Sequence, residues 1–255
     1  MSRGLVVTVL IVTAFLIYYA IMSIMAPGKK FKELENEIRS GLTTTSQIDE
    51  RFINDSLYIG LLREKAFLQS RILMAGTDSI SLTLNLADSL AQLEIAGVVV
   101  KTTDIEGIRM SKMLHQGNDF IITSLLSSPL NITGDRATIK KEPLMVKMAP
   151  KDTSEYKPDI MPDTSAYEAV SYILETDKGI RIYVTQSEKA KKGYGKELAW
   201  FDLKYRLGNS WEALKSAAQL KVPEYHPFIK IKLPRTDAKV IYRAIPTKGQ
   251  ITVYI

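Results

Sequence analysis

Leu5 to Ala26 reads LVVTVLIVTAFLIYYAIMSIMA, 22 residues without a charge, and no other stretch limits the architecture so strongly. At about 1.5 Å per residue, such a segment covers a hydrocarbon core of about 30 Å as one helix. A cleaved signal peptide is the competing reading, but its apolar region is shorter, roughly 7 to 15 residues, and no Ala-x-Ala-like site follows here. The favoured reading is an uncleaved, single-pass transmembrane anchor, with residues 5–26 in the bilayer and 1–30 as anchor and flanks. Pro27 and Gly28 stop the span, and Lys29, Lys30 and Lys32 sit at the interface. Three lysines after the span against Arg3 and the α-amine before it would, by the positive-inside rule, leave the bulk of the chain in the cytoplasm. The short basic start of a signal anchor argues for the opposite orientation.

The rest of the chain has the makings of a globular protein. Over 255 residues, 45% are hydrophobic and 24% charged, which excludes a wholly disordered, collagenous or multi-span protein and allows one or two domains. Cysteine is absent. That excludes disulfide scaffolds, thiolate zinc sites, iron–sulfur clusters and cysteine nucleophiles, and with two histidines no metal site and no cofactor is expected.

Phe31 to Ala75 has few glycines, no proline and many Glu, Lys, Arg, Leu and Ile. Gly41 and Thr43 to Thr45 interrupt it, and Ser46 with Asp49 resembles a capping box ahead of a helix over about 46–74. Its apolar positions suit either a coiled-coil stalk that makes homo-oligomers or a helix packed on its own domain.

The character changes at Gly76. Ser79 to Leu86 alternates polar and apolar, Ala87 to Ser89 reads as a turn, and Leu90 to Val100 as the returning strand. Further strands are expected at Phe120 to Ser124, Ala137 to Ile139, Leu144 to Met148, Ala169 to Leu174 and Gly179 to Thr185. Turn signals occupy Gly117 to Asp119, Ser128 to Asp135 and Glu188 to Gly195. Ala149 to Ala166 has three prolines among small polar residues and reads as a long exposed loop or lid. Trp200 to Leu220 reads as a helix with Trp211, Leu214 and Ala218 inward, and Phe228 to Ile255 as strand, short helix from about Pro234, and final strand. The expected fold class is therefore α+β: transmembrane helix, helical stalk over 31–75, then a mostly β domain over 76–255 with an inserted loop at 149–166 and a C-terminal β-α-β element.

The net charge of +6 is unevenly spread. Residues 178–255 carry 16 Lys+Arg against 6 Asp+Glu, a net of +10, whereas 31–177 carry −7. A basic half of this kind suits nucleic acid, an anionic membrane face or an acidic polymer, or simply a solvated face that balances acidic surface in the same molecule. No nucleic-acid reading motif accompanies it, which argues against nucleic acid. Tyr167, Tyr172, Tyr183, Tyr194 and Tyr205 alternate with Lys and Arg here. They could stack bases or sugars, though strand spacing favours half-buried packing.

The chain contains no Gly-x-Gly-x-x-Gly, P-loop, Gly-x-Ser-x-Gly, His-Glu-x-x-His or EF-hand string. Asp159 with Asp163, and Glu33 with Glu35, are carboxylate pairs of a solubilising kind, and catalytic pairing is set by distance in the fold. The strongest local signal is the end of the chain. His226-Pro227-Phe228-Ile229-Lys230, then Leu233-Pro234, Asp237-Ala238, Ile241-Tyr242 and the strand after Gly249 follow the order seen at the end of L,D-transpeptidase domains. Asp78 to Val100 is similar to that family's opening hairpin, so the resemblance covers about 78–255. It departs at the chemistry. Phe228 stands where the family has its nucleophilic cysteine, and Pro227 has no N–H for an oxyanion site, so the resemblance implies a degenerate domain that does not catalyse transpeptidation. The whole chain is also similar to single-span envelope proteins of Bacteroides-like bacteria.

Three readings follow. The first is a protein of the inner (cytoplasmic) membrane with a periplasmic, non-catalytic binding or scaffolding domain for peptidoglycan, its cell-wall peptide, or a protein partner. His226, Lys230, Lys232, Arg235 and Lys239 are the candidate binding residues and no catalytic residue is named. The second is an enzyme with a site beneath 149–166 that uses Asp, Tyr and Lys, marked by a pocket with a lysine of depressed pKa. The third is a cytoplasmic-facing bitopic adaptor of a membrane complex.

Overall fold

The computed structural model describes residues 3–41, 55–141, 168–189 and 195–255. Its first element is α1, Arg3–Gly41, one helix of 39 residues. It is long and apolar enough to cross a membrane, and only 6% of its apolar window is buried in the protein. A helix that belonged to a globular core would hide that window. Pro27 and Gly28 end the apolar run but not the helix. Pro27 has no N–H to offer the Ser23 carbonyl, yet α1 continues because Ala26 and Leu34 are both 5% exposed, held against the globular part. Leu34 belongs to the main core cluster and Phe31 packs on it.

The second helix, α2 (Ser56–Ala75), starts at Asp55, whose carboxylate accepts from the Leu57 N–H at 2.9 Å. The expected start near Ser46 and Asp49 lies outside the described residues. Of the two roles open to this helix, the structure shows packing on its own domain: Ala66, Ser70 and Met74 are buried, and Ser70 Oγ lies 2.8 Å from Thr252 Oγ1 of the last strand.

The fold is mixed α+β around one large sheet. Its strands are β1 (Ile80–Asn85), β2 (Leu90–Ile95), β3 (Val98–Asp104), β4 (Gly107–Met110), β5 (Leu130–Ala137), β6 (Ser171–Thr176), β7 (Arg181–Gln186), β8 (Phe228–Leu233) and β9 (Gln250–Tyr254). They are ordered β3-β2-β1-β9-β5-β6-β7-β8-β4. Two neighbouring pairs, β1 with β9 and β7 with β8, run parallel. The remaining pairs are antiparallel. β5 joins the halves: Leu130 and Asn131 pair with β9, and Ile132 and then Gly134 to Ala137 pair with β6, with a register shift between Ile132 and Gly134. Such a bulge turns a strand from one partner plane to another.

Several expected elements need correction. Phe120 to Ser124 is not a strand but part of α4 (Asp119–Leu126), which follows the short α3 (Lys112–Gln116). The Asn118 side chain caps α4 by accepting from the Phe120 and Ile121 N–H groups at 2.9 and 3.4 Å, and tertiary burial of Ile121, Ile122, Leu125 and Leu126 overrides the β preference of its Ile and Thr residues. Ser128 to Asp135, expected as turn, mostly belongs to β5. Leu90 to Val100 is two strands, because Ala96 and Gly97 adopt φ of 48° and 80°, the paired positive values of a tight hairpin turn. Leu144 to Met148, most of the Glu188 to Gly195 turn and the 149–166 loop lie outside the described residues.

Along β8, Ile229, Ile231 and Leu233 enter the core at 0 to 1% exposure, while Phe228, Lys230 and Lys232 turn to the other face, as strand alternation requires. That other face is crossed by α5 (Gly195–Ala218), and α6 (Arg235–Ala244) buries Ala238, Ile241 and Tyr242. Tyr205 is the main buried side chain of α5, edge-on to Tyr183 at 5.7 Å with the Arg136 and Arg181 guanidinium groups over its ring. The inward set expected for this helix is therefore wrong: Trp211 is 69% exposed, Ala218 is exposed and Leu214 only half-buried.

Candidate functional site

The sheet face beneath α5 carries a groove of about 650 Å³. Its floor comes from β6, β7 and β8, one wall from the outer strand β4, and its roof from the first turns of α5, with Phe201 and Asp202 facing in. Two of the five candidate residues meet here. Lys230 lies with its ammonium 4.7 Å from the centre of the Tyr183 ring and 5.2 Å from that of Phe228, and Lys232 lies two residues further along β8. Arg109 stands opposite Lys230 in the β4–β8 register and adds a third cation.

Partial burial lowers the Lys230 pKa. Asp202 opposes the shift, and the positive charges of Arg206 and Arg109 reinforce it. Charge repulsion and desolvation on one ammonium describe a site that gains when an anion arrives. Among the described residues, no carboxylate forms an ion pair with Lys230, Lys232 or Arg109. Because β4 ends the sheet, its outer edge has no strand partner among the described residues, which leaves backbone donors and acceptors along one side of the groove.

The other candidates are placed elsewhere. Lys239 pairs with Glu168 at 3.5 Å, and the Arg235 N–H donates to Glu188 at 2.8 Å, so both stabilise the ends and flank of α6. His226 lines a second cleft of about 530 Å³ with Lys30, Glu175, Asp177, Lys178 and Arg181. Burial, and then the nearby Arg181 charge, hold its pKa below the ordinary imidazole value, against the opposing effects of Glu224, the Gly179 backbone and Glu175. Phe228 packs edge-on against Tyr183 at 6.2 Å, beside the groove, and has no group to ionise.

Lys178 deserves the enzyme question, since burial also lowers its pKa while Asp177 opposes that. Its amine lies 2.7 Å from Ser128 Oγ and donates to the Ser128 carbonyl at 2.9 Å and to the Leu125 carbonyl. The carbonyls belong to the C-terminal end of α4, where a lysine is a standard partner. These bonds make Lys178 a clamp on that helix end. Among the described residues, no group of three or more His, Asp or Glu side chains gathers to hold a metal ion.

Lys230 and Lys232 are among the candidates legible in the sequence, where the tyrosine series that includes Tyr183 reads as packing. Arg109 and Asp202 are not among those candidates. The signal for Arg109 was the short alternation Gly107-Ile108-Arg109-Met110, and four residues are too few to stand out as a strand. Tyr172 and Tyr205 are buried, the packing alternative for this aromatic series. No family model, curated protein or solved structure matches the chain.

Proposed function

We propose that this chain is a single-pass protein of the cytoplasmic membrane whose sheet domain, on the outer side, is a non-catalytic binding module for an anionic, extended peptide such as the peptide of the cell wall. The observation that carries the reading is the groove under α5, where Lys230, Lys232 and Arg109 gather beside the sheet edge, share the lining with Asp202 and Glu106, and form no ion pair with a carboxylate among the described residues. An extended peptide can pair its backbone with the β4 edge and lay its carboxylates on the three cations, which is strand addition with charge-assisted side-chain contacts. The order of motifs around His226 and Phe228 is in keeping with a transpeptidase-like module that has lost its nucleophile and kept a peptide groove.

The test uses the full-length protein in detergent and isolated peptidoglycan or its soluble stem peptides. Replacing Lys230 and Lys232 together with Gln weakens binding about tenfold or more, as expected for lost charge-assisted contacts. Lys239→Gln, which removes a cation already paired with Glu168, leaves it unchanged. Equal binding by the double variant and the wild type would sink the groove as the site. The lysines after the span favour one other reading, a cytoplasmic adaptor, and a reporter active only outside the cytoplasm, fused to Ile255, separates the two by being active or silent.

A further inference from the structure

Helix α5 has two apolar faces. One points at the sheet through Leu198, Phe201 and Tyr205. At 100° per residue, Trp200, Leu203, Leu207 and Trp211 fall on the opposite side as one stripe, and they are 64, 47, 59 and 69% exposed. Lys204 and Lys215 border this stripe on one side. Four large apolar side chains in line on the outside of a charged helix are more than the scattered exposed residues that need no explanation.

The helix also lies against the anchor. α1 packs on α5, and Tyr19, Ser23 and Ala26 of α1 share one cleft with Asn209, Ala213 and Ser216 of α5. Those three α1 residues belong to the uncharged run that spans a bilayer. The segment Asn209 to Ser216 of α5 is therefore held beside the last turns of the uncharged run, and Trp211, at the end of the exposed stripe, lies at that level. Tryptophans above leucines, with lysines at the margin, match the chemistry of a membrane boundary: indoles sit among headgroups, leucines reach acyl chains and lysines meet lipid phosphates.

We infer that α5 is a second membrane contact, an interfacial helix that lays Trp200, Leu203, Leu207 and Trp211 into the lipid surface beside α1. The inference rests on α1 crossing a membrane. It ties the globular domain to the bilayer surface, where α1 alone would fix only one end of it.

The chain has only two tryptophans, and both are in the stripe, so intrinsic fluorescence reports on this face without labels. Full-length protein is reconstituted in phosphatidylethanolamine–phosphatidylglycerol vesicles with and without lipids brominated on the acyl chains. An apolar helix face sinks roughly 5 to 10 Å into the boundary, so brominated lipid lowers the emission about twofold or more while aqueous acrylamide quenches weakly. A Leu203→Glu/Leu207→Glu variant stays in the vesicles through α1, its emission shifts to the red and acrylamide quenches it. Emission quenched by acrylamide and untouched by bromine in the wild type overturns the inference. Protection from both quenchers also overturns it, since a second copy of the chain would then cover the stripe. Carbonate extraction of the same vesicles separates the failures: protein that remains in the pellet keeps the anchor, and protein that is released loses anchor and inference together.

Discussion

His226 sits where burial and the Arg181 charge favour its neutral ring, and the direction of that shift makes it an acid-sensitive residue. The unfolded chain takes up a proton near the ordinary value of 6.5, whereas the folded chain does so only at lower pH. Between those two values the unfolded state binds more protons, so stability falls as pH falls through that window and is unaffected well above it. His226→Asn removes the titration and keeps a side chain able to bond the Gly179 backbone. Thermal melts from about pH 7.5 to about pH 5.5, a span that brackets the ordinary imidazole value, should therefore show a smaller loss of Tm in the variant than in the wild type. An equal loss in both would assign the acid sensitivity to other groups. At this scale much was legible: Lys230, Lys232 and His226 were recognisable as polar residues in a basic end of the chain. Their separation into two clefts was not, because β8 begins between His226 and Lys230, and only the sheet reveals what lies beside each.

Helices and strands were legible where one face alone is apolar and opaque where that rule fails. Ser79 to Leu86 alternates cleanly and is β1. The sequence Asp119 to Leu126 is apolar on nearly all sides, and without a period its type is undecided. The deciding feature is Asn118, a residue first read as part of a turn and found to be the α4 cap. Asn118→Ala should cost about 1 kcal/mol, the usual loss for an N-cap, and urea unfolding in detergent would measure it. No change in midpoint would mean that packing of Ile121, Ile122 and Leu125 holds the helix without its cap. α5 misled for the opposite reason. Its outward stripe has the regular spacing that normally identifies a core face, so Trp211 and Leu214 looked inward. The two apolar faces are distinguishable only once the sheet is seen to lie under Tyr205.

For the molecule as a whole, an N-terminal helix long and apolar enough to cross a membrane and the mixed α+β character could be read from composition and pattern. The sheet order could not, since β1 and β9 lie side by side although about the whole length of the domain separates them in the chain, and local periodicity carries no information on such a pairing. The join between anchor and domain was equally hidden, because Pro27 and Gly28 are the residues that usually end a helix. Leu34, about two turns beyond the end of the uncharged run at Ala26, seats in the same cluster as Leu125, Ile180 and Ile182. Leu34→Ala should lower stability by about 2 to 5 kcal/mol, as for a buried core leucine, measured as a drop in Tm of the full-length protein in detergent. A change of only a few tenths would mean that the second part of α1 is a tether laid on the surface. If the core role holds and α1 crosses a bilayer as proposed, α1 is a lever as well as an anchor. A pull on a ligand bound as proposed in the groove would be borne along the sheet and through Leu34 into the membrane, and a tilt of α1 in the bilayer would swing the groove by the same angle.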